Sequence, residues 1–293
     1  MAEHRAPAHH RRDSHGEAWR GAAGGVHTGP VITLGRATKR FPGADGGVHT
    51  AVRDLTMSVA AGEFVAVVGP TGCGKSTTLS LVSGLEPPSE GTVLVRGEPV
   101  RGIPAGVGYM FQSDAVLPWR SVLDNVAAGP RYRGEPRSQA RARARDWVER
   151  VGLGAFGGYY PHQLSGGMRK RVALAQTLVN EPEILLMDEP FSALDVQTRA
   201  LMQDELLRLW AGTGAAVVFV THDLEEAVAL ADRVVVMTAA PATVKASFAV
   251  PLPRPRDVEE IRMTTAFLDV YREIWASLRD EVAAARQEAI SHA

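Results

Sequence analysis

The stretch Gly69-Pro70-Thr71-Gly72-Cys73-Gly74-Lys75-Ser76-Thr77 constrains the architecture around it more tightly than any other part of the chain. It runs Gly, four residues, then Gly-Lys-Ser, a spacing that works mechanically between a strand and a helix. Both flanks are present. Glu63-Phe64-Val65-Ala66-Val67-Val68 is a short apolar run suited to a strand buried in a parallel sheet, and Thr77-Thr78-Leu79-Ser80-Leu81-Val82 continues with apolar residues at helical spacing. The glycines let the backbone curl so that several N–H groups face one phosphate chain, and the new helix adds the positive end of its dipole. In that geometry Lys75 supplies a point charge for the β- and γ-phosphates, and the Ser76 hydroxyl is placed to ligand Mg²⁺.

Three further apolar runs end in polar residues. Ile184-Leu185-Leu186-Met187-Asp188-Glu189-Pro190 closes on two acids, and a carboxylate at the end of a buried strand is tolerated where a metal or a reacting group compensates its desolvation. Asp188 is the expected partner of Mg²⁺, acting behind its direct ligands or through a water, and Glu189 the group that orients or deprotonates an attacking water. Val217-Val218-Phe219-Val220-Thr221-His222-Asp223 brings His222 to a strand end, and Val107-Gly108-Tyr109-Met110-Phe111-Gln112 does the same for Gln112, whose amide is in reach of the metal or the water. Parallel strands of one sheet end at one edge, which is where open α/β sheets bind ligands, so His222 is expected to reach the γ-phosphate.

Leu164-Ser165-Gly166-Gly167-Met168 and Ser192-Ala193-Leu194-Asp195 complete a set whose order resembles the ATP-binding-cassette (ABC) transporter ATPase subunits over about residues 31 to 250. The former matches the family's signature motif, the latter its D-loop, Gln112 its Q-loop and His222 its switch histidine. Ser165-Gly166-Gly167 opens a helix through Val179, so its N–H groups and dipole form a second anion site. Taken alone, Ser165 reads equally well as a plain helix cap. The resemblance implies that Ser165, Gly166 and Gly167, with Asp195, cover the γ-phosphate held by a second copy, giving a head-to-tail homodimer with two ATPs between the chains. It also places Phe41, where relatives often carry Tyr, as the ring that stacks on adenine.

The implied fold is α/β: a P-loop cassette with a mainly parallel core sheet, an antiparallel β subdomain at the start and a helical subdomain, about 113–165, inserted after Gln112. The implied cofactors are ATP and Mg²⁺, with Ser76, Gln112 and Asp188 serving the metal. The implied partners are an integral-membrane permease and, indirectly, a substrate-binding protein. Leu117-Pro118-Trp119, Pro161-His162-Gln163, Asp195 to Arg199 and Pro251 to Arg256 look like the importer ATPases for nitrate, sulfonates and taurine. The alternative is a soluble ABC ATPase acting on nucleic acid or ribosomes; such chains often carry two cassettes or a long coiled coil, and neither is present.

Composition narrows the field in the same direction. The formal net charge of −1 argues against broad nucleic-acid binding. No apolar stretch approaches the roughly 18 to 20 residues of a membrane span, and the charged, polar start lacks the apolar core of a signal peptide. The expected location is therefore the cytoplasmic face of the cell membrane, reached through the permease. One cysteine excludes an internal disulfide and a Cys-based zinc site. That cysteine, Cys73, lies at a helix start, which lowers a thiol's pKa; it reads either as a reactive thiol protected by ATP or as a small residue filling the loop.

Residues 1 to 30 form a separate extension, poor in large apolar residues and holding five of the nine histidines (His4, His9, His10, His15 and His27); its composition reads as disorder. Val122 to Ala128 and Ser138 to Val151 have helical periodicity, and Arg137, Arg141, Arg143, Arg145 and Arg150 form either a solvated basic face or a contact for anionic lipid. Trp119 is either core or part of a groove for the permease. A strand is expected over Ala242 to Val250. In the tail, 251–293, Ile261, Phe267, Leu268, Tyr271, Ile274, Trp275 and Leu278 recur at steps of three and four, as in a helix that packs on its own cassette.

Overall fold

The computed structural model describes residues 29–43 and 46–291, so nearly all of the His-rich extension lies outside the described residues. β1 (Ile32–Pro42) and β2 (Val48–Val59) form an antiparallel hairpin. β3 (Phe64–Val68) runs into the glycine loop and α1 (Lys75–Ser83) leaves it. β4 (Glu90–Val95) then returns to pair antiparallel with β1, and the short β5 (Glu98–Pro99) pairs with β4. The antiparallel sheet, in the order β2-β1-β4-β5, is thus completed by strands that follow the glycine loop and does not lie wholly at the start of the chain.

β6 (Val107–Met110) leads into a helical region: α2 (Val122–Val126), α3 (Ala128–Tyr132), α4 (Arg137–Arg150) and α5 (Gly166–Leu178). The chain then alternates through β7 (Ile184–Asp188), α6 (Val196–Trp210), β8 (Ala216–Val220), α7 (Leu224–Leu230) and β9 (Arg233–Met237). β10 (Val244–Ala249), α8 (Val258–Arg262) and α9 (Thr265–Ser291) finish it. The core sheet has the order β10-β9-β3-β8-β7-β6; it is parallel from β9 to β6, and β10 runs antiparallel at its edge.

β3 sits between β9 and β8 and is buried along its whole length. Its alternation sorts the core. Phe64, Ala66 and Val68 face the helices α4 to α9, with Phe64 edge-on to Trp210 at 5.3 Å, whereas Val65 and Val67 face α1 and the antiparallel sheet. Apolar layers on both faces explain why β3, β7 and β8 read as unbroken apolar runs.

Several expectations change in detail. The periodic stretch 122–128 breaks at Ala127, which ends α2 and starts α3; Pro130, which has no N–H to donate, lies just beyond this restart. The last strand covers 244–249, shorter than expected at both ends. Trp119 is 71% exposed and so is no core residue. In the tail Phe267, Ile274 and Leu278 are buried, but Leu268 and Trp275 remain 41% and 43% exposed. On α4, Ala140, Ala144, Trp147 and Val148 turn inward. Of its arginines, Arg141 pairs with Asp124, Arg143 with Glu135, and the Arg150 guanidinium lies 4.9 Å from the centre of the Trp147 ring. Two members of the basic cluster are therefore neutralised locally, as in a solvated, internally paired face. Among the described residues no helix is long and apolar enough to cross a membrane.

The segment that follows Gln112 is pinned by Asn125, which is fully buried on α2. Its Oδ1 accepts from the Leu117 N–H at 2.7 Å, and its Nδ2 donates to the carbonyls of Leu117, Arg120 and Ser121 at 3.1, 3.0 and 3.0 Å. Truncation would orphan buried backbone groups. Asn125→Ala is expected to destabilise the fold by about 3 kcal/mol, read as a lower urea midpoint at unchanged m. A loss under about 0.5 kcal/mol would remove this anchor from the account.

Candidate functional site

Register brings the strand ends level. Met110 pairs with Met187, Asp188 with Val220, and Val220 with Val67, so β6, β7, β8 and β3 all finish at one edge of the sheet. At that edge α1 begins on Gly74, held at φ 118°, a backbone only glycine adopts freely, and a Cβ there would meet the Ala51 carbonyl oxygen at 2.6 Å. A glycine brings no side-chain cap, so the N–H groups of the first turn of α1 face the loop with the helix dipole behind them. Lys75 is buried, and its ammonium donates to the carbonyls of Gly69 and Pro70 at 2.9 Å each. The loop thus holds its own cation at its mouth, in charge-assisted bonds that an anion can take over.

Opposite the loop, Ser76 Oγ donates to Asp188 Oδ1 at 2.9 Å, and the Tyr109 hydroxyl lies 3.5 Å from Asp188 Oδ2. Burial raises the Asp188 carboxyl; the Ser76 bond works against that, and neighbouring Glu189 adds to it. Tyr109 is raised too, by burial first and then by Asp188. Glu189 stands in the left-handed region at φ 41°, a conformation that non-glycine residues keep only where the surroundings hold them. Its N–H donates to the Val220 carbonyl at 2.9 Å, and its Oε2 lies 3.0 Å from His222 Nδ1 and 3.4 Å from Gln112 Nε2. Gln112 lies two residues past the end of β6, reached through an irregular stretch, and the buried Lys170 on α5 holds its backbone by donating to the Gln112 carbonyl at 2.8 Å.

The loop residues, Gln112 and Glu189 line one cleft of about 390 Å³, together with Phe41 and His49. Phe41 and His49 are cross-strand partners on β1 and β2, and Lys39 Nζ lies 4.9 Å from the Phe41 ring centre. Ser165, Gly166 and Gly167 are not among the described residues lining this cleft. Ser165 instead caps α5, accepting from the Met168 N–H at 3.2 Å, and Asp195 caps α6, accepting from the Thr198 N–H at 3.0 Å, a bond that lowers the Asp195 carboxyl. The two helix starts adjoin: a Cβ on Gly167 would lie 2.7 Å from Thr198 Cγ2.

Four contributors carry no strong sequence signal. Tyr109 is one polar ring in an apolar strand. His49 lies on a polar strand end, Lys170 reads as a surface residue of a helix, and Glu226 reads as an ordinary acid of a first helical turn. Glu226 is in fact buried, accepting from Thr221 Oγ1 at 2.6 Å and Gln203 Nε2 at 2.9 Å, and burial raises its carboxyl. Arg199 ties the same region together, donating to the Leu194 carbonyl at 3.0 Å and lying 3.4 Å from Asp223.

The reactive reading of Cys73 is corrected. The thiol is 1% exposed, beneath the loop and among the apolar residues of β3 and α1, and burial raises its pKa despite the Lys75 charge and the helix start. The small-residue reading stands. Native protein at pH 7.5 is expected to react with a maleimide at least about a hundredfold more slowly than the urea-unfolded chain; native labelling within about threefold of the unfolded rate would reverse the correction.

The ABC transporter family matches residues 52–192. An ABC transporter ATP-binding protein of Methanocaldococcus jannaschii is 47% identical over 232 residues, covering 79% of this chain and 85% of that protein. Taurine import ATP-binding proteins of Jannaschia sp. and Burkholderia pseudomallei are 37% and 42% identical over 252 and 239 residues, covering 85% and 80% of this chain and 94% and 92% of theirs. Among solved structures, a dimeric ATP-binding cassette in a post-hydrolysis state, bound to ADP and Pi, superposes with a TM-score of 0.67 at 28% identity, covering 76% of this chain and all of that one.

Proposed function

The chain belongs to the ABC transporter ATP-binding family, and from that premise we propose that it energises an importer for a small taurine-, sulfonate- or nitrate-like solute. It is an ATP-binding subunit with ATPase activity. In the proposed assembly two copies face head to tail beneath a separate integral-membrane permease, on the side of the membrane that holds ATP, and a substrate-binding protein delivers the solute. Residues 31–250 form the ATPase unit, and 251–293 a tail attached to it. One observation carries the reading: a single sheet edge presents Lys75, Ser76, Asp188, Glu189, Gln112 and His222 around the glycine loop, while the α5 start with Ser165 stands apart from that cleft. Such a half-site needs a second chain to cover its phosphates. The import direction and solute class rest on the taurine-import relatives and on the short motifs that resemble them.

The residues fit Mg²⁺. Ser76 and Asp188 bring oxygen donors within 2.9 Å of each other, and the raised Asp188 carboxyl has a desolvation cost that a nearby cation offsets. Ser76 and Gln112 would hold it, with Asp188 behind. Bound there, the ion would neutralise charge on the phosphate oxygens.

The rest is done by the chain. The phosphates take the Lys75 ammonium from the Gly69 and Pro70 carbonyls, and the α1 amides cradle them. Phe41 offers its ring to adenine. Glu189 orients the water in line with the γ-phosphorus and draws its proton as the bond to the leaving ADP oxygen breaks. His222 and Gln112 hold Glu189 in place, and His222 contacts the γ-phosphate. ATP closes the pair, hydrolysis releases it, and the segment after Gln112 passes that motion to the permease.

Glu189→Gln is expected to bind ATP and dimerise while turnover falls at least about a hundredfold, measured by phosphate release. Near-wild-type hydrolysis would remove Glu189 from its role. Lys75→Ala is expected to weaken nucleotide binding at least about tenfold; unchanged affinity would count against the loop assignment. Gentle purification from native membranes, with identification of what accompanies the chain, tests the transport reading. A multispanning protein is expected, and recovery with nucleic acid or ribosomes alone would overturn it.

A further inference from the structure

Outside the family match, α9 makes a polar contact that burying its apolar side does not require. Glu281 Oε2 accepts a hydrogen bond from the Ala239 backbone N–H at 2.9 Å, and its Oε1 pairs with Lys245 Nζ at 2.8 Å. Lys245 in turn donates to the Ser277 carbonyl on α9 at 2.9 Å. Burial alone would raise the Glu281 carboxyl, but the bonds from Lys245 and Ala239 hold it below the usual carboxylate range. The group is thus an anchored anion at a helix–turn junction.

Ala239 lies in the turn between β9 and β10, and that turn backs the phosphate loop. A Cβ on Gly69 would sit 3.2 Å from both Met237 Cβ and the Met237 carbonyl oxygen, and one on Gly74 would sit 3.3 Å from Ala242 Cβ. The turn is also fastened to β2 beside the nucleotide cleft. The Ala242 N–H donates to the Ala51 carbonyl at 3.0 Å, and the Arg53 N–H to the Ala242 carbonyl at 2.9 Å. Ala51 itself lines the cleft. The loop and the turn thus approach closely enough that no side chain fits between them at Gly69 or Gly74, so a displacement of the turn is transmitted to the loop backbone.

We infer that α9 straps the nucleotide site: Glu281 is a positioning residue that fixes the β9–β10 turn against the phosphate loop and so sets nucleotide affinity, not the rate of bond breaking. Within the turn, Thr238 Oγ1 donates to the Ala239 carbonyl at 3.0 Å and accepts from the Thr243 N–H at 3.1 Å, but the Ala239 N–H finds its acceptor outside the turn, in the carboxylate on α9. Loss of that acceptor loosens the Ala239 end of the turn while its Ala242 end stays fastened to β2, and each nucleotide that binds then has to restore part of the preformed geometry of the loop. The inference rests on the ATPase reading of the same loop.

The test uses the full chain, with ADP affinity by calorimetry and ATP hydrolysis at steady state. Glu281→Ala is expected to raise the ADP Kd and the ATP KM by roughly three- to tenfold with kcat within about twofold, the pattern of lost binding without lost chemistry. Glu281→Gln keeps a carbonyl acceptor for Ala239 and is expected to restore both constants to within about twofold of wild type. Lys75→Ala is the control for the underlying reading. If Lys75→Ala loses nucleotide and Glu281→Ala binds it normally, the strap is overturned and the ATPase site stands; if Lys75→Ala binds normally, the loop reading itself fails. A fall in kcat at unchanged KM, or a lowered unfolding temperature with unchanged Kd, would also overturn the strap, since either reports a role other than positioning the loop.

Discussion

The bond from the Glu189 N–H to the Val220 carbonyl carries the β7–β8 ladder one residue past the end of β7. The placement of Glu189, and with it the Gln112 and His222 contacts, depends on it. The bond holds Glu189 at φ 41°, a conformation costing about 1 kcal/mol or more that is stable only because the ladder and the Gln112 and His222 contacts over-determine it. In that turn the two neighbouring acids separate: Asp188 faces Ser76 and Tyr109, and Glu189 faces Gln112 and His222. Two carboxylates in sequence thereby acquire different environments, and their proximity adds to the desolvation that raises Asp188.

The parts of this arrangement that sequence reveals are those set by local pattern. β3 and β8 are short and fully apolar and β7 is apolar up to Asp188, so their existence and the polar groups at the ends of β7 and β8 can be read residue by residue. The loop's glycines and the cap Ser165 are legible because turn and cap chemistry is local, whereas the cap role of Asp195 emerged only from the structure. What was not legible depends on distant segments. Nothing near Cys73 announces that the apolar residues of β3 and α1 will bury it, and a helix-start argument alone gives the wrong direction for its thiol. Trp119 offers no local reason to be exposed, and the two strands that complete the antiparallel sheet are separated from its hairpin by the whole glycine loop and α1.

The same distinction separates the two halves of the proposed composite site. The signature and the D-loop lie far apart in sequence from the phosphate loop, but the fold brings them together: Gly167 has room for no Cβ against Thr198, so the α5 and α6 starts adjoin on one surface. That surface presents two capped helix ends. Both caps are already satisfied by Ser165 and Asp195, so what remains for a partner is the dipole and the flanking N–H groups. In the proposed dimer, a partner phosphate would meet helix ends that are already capped.

The link from that surface back to the chemistry is short and physical. Arg199, one turn into α6, holds the Leu194 carbonyl of the D-loop and reaches Asp223, the residue after His222 and the cap of α7. Beneath them Glu226 is buried with Thr221, which precedes His222, and with Gln203 of α6. A shift of α6 cannot leave His222 where it is without breaking bonds to a buried carboxyl, and an unsatisfied buried acid costs more than the bonds themselves contribute when made. The tie between the start of α6 and His222 thus follows from where Glu226 is buried, and in the proposed dimer it would link the partner-facing surface to the γ-phosphate.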